Sequence, residues 1–263
     1  MSTSFTQMFE INRSGLMMRM ADLDVVSNNL ANINTTGYKA QRTNFQELLN
    51  QVISSTDQTQ TITDITTRNV LNGTQIISTQ MLASQGALKD SERPLDLAIE
   101  GEGFFGVSLP DGTIAYTRDG TMFTDGENNL VNGAGYPLVW DGALPENGKD
   151  FSITASGDVV AIVDGVEQVV GTIPLFRFVN TSGLSLNGEN LLLASPASGA
   201  AEQGTAGEDG FGSIASSMLE GSNVNMSEEI TRMISLQRGF ELSIRALQQA
   251  DTMLSQALQM RQI

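Results

Sequence analysis

Residues 225–263 read NMSEEITRMISLQRGFELSIRALQQADTMLSQALQMRQI, and their spacing decides the fold. Asn225 followed by Glu228 three residues on is a capping-box-like helix start. From there Met226, Met233, Phe240, Leu247 and Leu254 recur every seventh residue, and Ile230, Gln237, Ile244, Asp251 and Leu258 hold the partner register. This is an a/d heptad pattern with two polar interruptions. The stretch contains no Pro and one Gly, Gly239, so it predicts one helix, roughly 50 Å long at 1.5 Å per residue. A helix with so narrow an apolar stripe is not stable alone and needs a partner. Gln237 and Asp251 cost stability, and in exchange they fix register or meet neighbouring subunits.

The opposite end of the chain offers that partner. Ser4 with Gln7 three later marks a second helix start. Phe5, Phe9, Leu16, Met20, Leu23, Val26, Leu30 and Ile33 then fall at steps of mostly three and four along one stripe. Gly37, after Thr35 and Thr36, is the expected stop. Between the two ends the texture changes. Residues 50–80 are rich in Thr, Gln, Ser and Asn and read as an extended arm. Residues 95–194 show short apolar runs punctuated by Asp-Gly at 111–112, 119–120, 125–126, 141–142 and 164–165. Ile114–Phe123 predicts a hairpin, and so do 159–163 with 166–170 around Asp164-Gly165. Strands at this spacing suggest a small antiparallel barrel or sandwich.

The expected architecture is therefore α+β, with discontinuous N- and C-terminal helices pairing as a coiled coil and an antiparallel β domain inserted between them. The expected segments are an N-terminal helix at 1–36, an extended arm at 37–94, a central β domain at 95–197, a return linker at 198–224 and a C-terminal helix at 225–263. Helices this long exceed what a β domain of that size covers. The leftover apolar surface on Phe9, Leu16, Leu23, Leu30, Ile230, Met233, Phe240, Ile244, Leu247, Leu254 and Leu258 marks these residues as candidate subunit-interface positions.

Composition supplies exclusions. The 263 residues include no Cys and no His, so a disulfide, a Ser-His-Asp triad, a Cys nucleophile and a His/Cys zinc site are all ruled out. The formal net charge of −16 sets the surface against phosphate backbones and anionic lipid, which removes nucleic acid and membrane surfaces as partners. Residues 1–19 lack the unbroken apolar run of a secretory signal, because Glu10, Asn12 and Arg13 interrupt it. No stretch approaches the length of a membrane span, so membrane insertion is not expected.

The motifs that mimic chemistry read better as structure. Gly101-Glu-Gly-Phe-Phe-Gly106 matches a dinucleotide fingerprint by letter, but a turn and another strand follow where that motif needs a helix. Asp125–Asn129 lacks the ligand alternation of a calcium loop and reads as a solvated turn. Glu228 and Glu229 diverge on a helix and complement its dipole. Asp22 and Asp24 read as solvated or interface residues. No catalytic, cofactor or metal site is expected.

Four ordered stretches carry a family resemblance. Leu23–Lys39 reads LDVVSNNLANINTTGYK, with Ser27, Asn28, Asn29, Leu30, Ala31 and Asn32 as its core, and Phe45–Leu49 follows it. Pro94–Phe105 leads into Tyr116–Gly120. Leu219–Asn225 leads into Gln237-Arg238 and Phe240-Glu241. Together these resemble the bacterial flagellar rod and hook proteins over nearly the whole chain. Within that family, the polar stretch 50–72 is similar to the distal part of the rod; a proximal rod or hook-like subunit is the alternative, and a secreted binding module a more distant one. The resemblance implies a structural subunit without enzymatic activity. It would be exported by the flagellar type III apparatus without signal cleavage and polymerise with itself into a hollow drive shaft. Its other implied partners are the proximal rod proteins, the hook protein and the surrounding bushing rings.

Overall fold

A computed structural model describes residues 2–48, 73–145, 149–163 and 166–260. Two long helices flank a β region: α1 (Ser2–Ala31) and α2 (Met226–Met260). Between them run β1 (Gln41–Leu48), β2 (Gly73–Met81), β3 (Leu88–Asp90), β4 (Leu97–Glu100), β5 (Phe105–Ser108), β6 (Ile114–Thr117), β7 (Met122–Thr124), β8 (Leu130–Asn132) and β9 (Asp141–Gly142). They continue as β10 (Lys149–Ile153), β11 (Asp158–Val163), β12 (Val166–Thr172), β13 (Leu175–Arg177), β14 (Ser185–Leu186), β15 (Leu192–Leu193), β16 (Glu202–Gly204), β17 (Ser213–Ser216) and β18 (Met218–Glu220). The fold is α+β. The chain divides into a helical unit (1–28, 41–80 and 227–263) and a β unit (29–40 and 81–226).

The β unit is built from small antiparallel sheets, ordered β10-β11-β12-β9 and β14-β15-β6-β5, with the pairs β13-β16, β17-β4, β18-β3 and β7-β8. Alternation along the strands sends Leu97, Ile99, Phe105, Val107, Met122, Leu130, Val159, Ile173, Leu175 and Ile214 into one core. A second cluster gathers Phe104, Tyr116, Phe176 and Phe178 with Met81, Leu184 and Leu192. Its rings meet edge to face, Tyr116 lying 4.8 Å from Phe178 and 5.3 Å from Phe176 between centroids. Four aromatic rings are thus gathered where their quadrupoles interact.

The sequence expectations and the structure part in several places. Ile114–Phe123 is not one hairpin. β6 pairs with β5 and β15, while β7 pairs with β8. At Asp119-Gly120 the chain turns a corner. A Cβ on Gly120 would lie 1.7 Å from the Leu97 carbonyl oxygen, and the Asp119 carboxylate accepts from the Thr121 N–H at 3.1 Å. The turn signal was genuine, but it re-aims the chain toward β4. The true hairpin lies one step earlier, with β5 and β6 joined at Asp111-Gly112. The β11–β12 hairpin is present with Val163 opposite Val166; its turn residues 164–165, like the core of the polar stretch at 50–72, lie outside the described residues.

Residues 198–224, expected as a return linker, carry β16, β17 and β18, and β3 lies within the expected arm. Glycine and alanine there suggested a loop, yet they permit close approach: a Cβ on Gly212 would lie 2.6 Å from the Glu100 carbonyl oxygen beside the β17–β4 pair. Helix α1 ends at Ala31, ahead of the expected stop at Gly37. Gly37 instead takes φ +66°, where a Cβ would meet the Asp119 backbone nitrogen at 2.4 Å. The fingerprint-like Gly101–Gly106 opens β5, a strand.

Candidate functional site

In the β unit three of the resembling stretches converge on one buried carboxylate. Glu220, the last residue of β18, is 1% exposed. Its Oε1 accepts from Lys39 Nζ at 2.6 Å and from the Gly86 N–H at 2.8 Å, and its Oε2 lies 3.3 Å from Arg118 Nη1. Lys39 Nζ also donates to the Ser84 carbonyl at 2.9 Å, and Arg118 Nη2 to the Gly101 carbonyl at 2.8 Å. The Arg118 guanidinium stands over the Phe104 ring at 5.2 Å. Two cations thus share one anion away from water. Burial pulls the Lys39 ammonium below its ordinary pKa of 10.5; the hydrogen bond and charge of Glu220 oppose that shift, and nearby Arg118 adds to it. Burial likewise lowers Arg118, against the opposing pull of Glu220.

Backbone bonds fasten the same place. Gly37 N–H donates to the Glu220 carbonyl at 2.8 Å, Leu82 N–H to the Ala40 carbonyl at 2.8 Å and Gly221 N–H to the Ala87 carbonyl at 2.8 Å. Asn223 receives the Ala40 N–H at 2.7 Å and returns its amide protons to the Leu82 and Ser84 carbonyls at 3.0 and 2.9 Å. Gly86 has to be glycine here, since a Cβ would lie 1.9 Å from the Gly221 carbonyl oxygen. The segments at 37–40, 81–87 and 220–223, each next to a point where the chain passes into the sequence of the helical unit, are therefore tied into one junction. Buried Asn29 of the signature motif belongs to it too: its side-chain oxygen accepts from the Tyr38 hydroxyl at 3.1 Å. In the same motif Ser27, Asn28 and Ala31 are exposed, while Leu30 and Asn32 are half-buried.

In the helical unit α1 and α2 meet through polar contacts. Arg232 Nη2 lies 2.7 Å from Asp22 Oδ1, which also accepts from the Thr43 hydroxyl at 2.6 Å. Asp22, expected to be solvated or at an interface, is buried, whereas Asp24 is exposed. The Arg19 guanidinium reaches Gly239, where a Cβ would lie 2.0 Å from its Nη1. As α1 advances from 19 to 22, its neighbours on α2 retreat from 239 to 232, so the two run in opposite directions there. Of the candidate interface residues, Leu16, Leu23, Leu30, Met233, Phe240, Ile244 and Leu247 are half-buried, and Ile230 is 39% exposed. The side chains of Phe9, Leu254 and Leu258 lie outside the described residues. Met17, Met20, Ile234, Leu242 and Met253 add exposed apolar surface.

The Lys39–Glu220–Arg118 cluster was not singled out by reading the sequence, although a signal was there. Each of its members falls inside one of the resembling stretches: Lys39 closes the first, Arg118 sits in Tyr116–Gly120 and Glu220 in Leu219–Asn225. Among the described residues no group of three or more acidic, His or Cys side chains is placed to hold a metal ion. No helix among them is long and apolar enough to cross a membrane.

Sequence models of flagellar rod and hook proteins match the chain in order. These are the flagella basal body rod protein model at 9–39, the flagellar hook protein FlgE/F/G D1 domain at 98–161 and the flagellar basal body rod FlgEFG protein C-terminal model at 215–260. The chain is 36% identical to flagellar basal-body rod protein FlgG of Buchnera aphidicola subsp. Acyrthosiphon pisum, over 95% of this chain and 98% of that one. It is 39% identical to FlgG of Caulobacter vibrioides, over 94% and 97%, and 35% identical to FlgG of Bacillus subtilis, over 94% and 96%. The chain belongs to the flagellar basal-body rod protein FlgG family.

Proposed function

We propose that this chain is a structural subunit of the distal part of the flagellar basal-body rod, polymerising helically into the hollow shaft that transmits torque to the hook. One observation carries the reading furthest: similarity to the FlgG proteins runs nearly end to end, through both helices as well as the β unit. The exposed and half-buried apolar side chains on α1 and α2 support an assembly role, because a contact between unlike faces that does not close generates a filament. In this reading the stripes at Leu16, Leu23 and Leu30 and at Met233, Phe240, Ile244 and Leu247 complete a coiled coil as neighbours pack. Phe9, Leu254 and Leu258, whose side chains lie outside the described residues, hold the same stripes in the sequence. The reading assigns the chain no reaction. Its partners are further copies of itself, the proximal rod proteins, the hook protein and the bushing rings, and export runs through the flagellar type III apparatus without cleavage.

The test is electron microscopy of basal bodies from a strain lacking the chain. A rod that stops before its distal segment and carries no hook is the expected result. An intact rod would overturn the reading.

A further inference from the structure

The chain has 12 Met and no Cys, so every reactive sulfur it owns is a thioether. These thioethers are unequally sheltered. In the β unit Met122 is fully buried and Met81 is 5% exposed. On the helices Met17, Met20 and Met253 are 56%, 54% and 58% exposed, and Met226, the first residue of α2, is 50% exposed. Met20 and Met226 stand in the apolar stripes themselves, and Met17 and Met253 lie next in sequence to Leu16 and Leu254, about 100° around the helix from them. Exposure controls access of an oxidant to sulfur, and a sulfoxide turns a flexible apolar side chain into a polar one that spoils Met-rich contacts.

We propose that Met17, Met20, Met226 and Met253 form an oxidation-sensitive set that gates subunit assembly through a peroxide-class oxidant. The thioether sulfur attacks one peroxide oxygen. The O–O bond breaks as the S–O bond forms, sulfur gives up two electrons, and the departing hydroxide takes the proton of the sulfur-bound hydroxyl to leave as water. The product is one sulfoxide and one water per peroxide. The β unit has its core sulfurs out of reach, so it keeps its fold while the helices lose apolar surface. Once subunits pack, the same side chains are covered, so the sensitive state is the subunit before assembly. Sulfoxide reduction restores the thioether, which makes the gate reversible. The gating half of this inference rests on the polymerising role proposed above; the selectivity half rests on exposure alone.

The experiment treats purified full-length chain with hydrogen peroxide, maps oxygen addition by peptide mass spectrometry and scores polymer by sedimentation. Oxygen is expected at the four helix positions first, at rates on the order of tenfold above Met81 and Met122, with loss of most sedimenting polymer and an unchanged near-ultraviolet signal from Trp140. Methionine sulfoxide reductase restores the polymer. In a chain carrying M17L, M20L, M226L and M253L, which keeps apolar volume, peroxide removes no polymer relative to the same chain untreated. Oxidation of Met81 and Met122 at the same rate as the four would overturn the selectivity. Undiminished polymer from fully oxidised wild-type chain would overturn the gate. If the untreated chain forms no polymer, the functional reading fails and the gate falls with it, while the peptide map still decides the selectivity.

Discussion

At Glu220 one carboxylate answers both Lys39 and Arg118 with almost no solvent to help. Removing one member of a buried charge group leaves the others uncompensated and typically costs about 3–5 kcal/mol. Glu220→Ala is therefore expected to lower the unfolding free energy of the β unit by about that amount in a urea titration. Glu202→Ala supplies the contrast. Glu202 meets Arg177 at 2.9 Å, but it is well exposed, so its loss should stay within about 1 kcal/mol. Lys39 adds a pH dependence. Its folded pKa lies below 10.5, so the unfolded chain holds that proton at pH values where the folded chain has released it. Stability from this residue accordingly rises with pH between the folded pKa and 10.5, and is flat above. Titration of the Lys39 side chain by NMR should show the proton leaving below pH 10.5. Glu220→Gln should move that midpoint lower still, because the partner it removes is the one raising it. A midpoint at or above 10.5 in the native chain would show that the pull of Glu220 outweighs burial at Lys39.

At the scale of elements, the helices follow from spacing and the β unit follows from it only in part. The heptad of α2 needed nothing beyond the recurrence of Met226, Met233, Phe240 and Leu247, because helix periodicity is local. Asp-Gly pairs likewise gave correct turns at 111–112 and 125–126. The partner of each strand was not legible, since strand pairing is set by contacts distant in sequence: Ile214 faces Ile99, and Leu219 faces Lys89. The junction was hidden for the same reason, its three charges lying at 39, 118 and 220. Gly239 is a local anomaly with a local test. Gly in a helix interior costs about 1 kcal/mol relative to Ala, and the group its Cβ would meet is the far end of Arg19, which swings aside. Gly239→Ala should therefore leave stability unchanged or raise it by up to about 1 kcal/mol, measured by thermal unfolding followed by helical circular dichroism. Gly86→Ala should do the reverse, because the Gly221 carbonyl facing it is backbone and does not yield.

Across the whole molecule, charge and stickiness are divided between the units. Of the 14 basic and 30 acidic residues, 6 and 20 fall in 29–40 and 81–226, leaving 8 and 10 for the helical unit. The helical unit is thus close to neutral, so its apolar stripes associate without a large like-charge penalty, while the acidic β unit keeps the subunit soluble. This division is what the proposed role requires, with assembly carried by the helices and the β unit folding on its own core. The most direct measurement is complementation of a strain lacking the chain, with basal bodies viewed by electron microscopy. The full chain should restore a complete rod and hook. Residues 1–225, made and exported at the same level, should leave the rod truncated. A complete rod built from residues 1–225 would contradict assembly through the terminal helices.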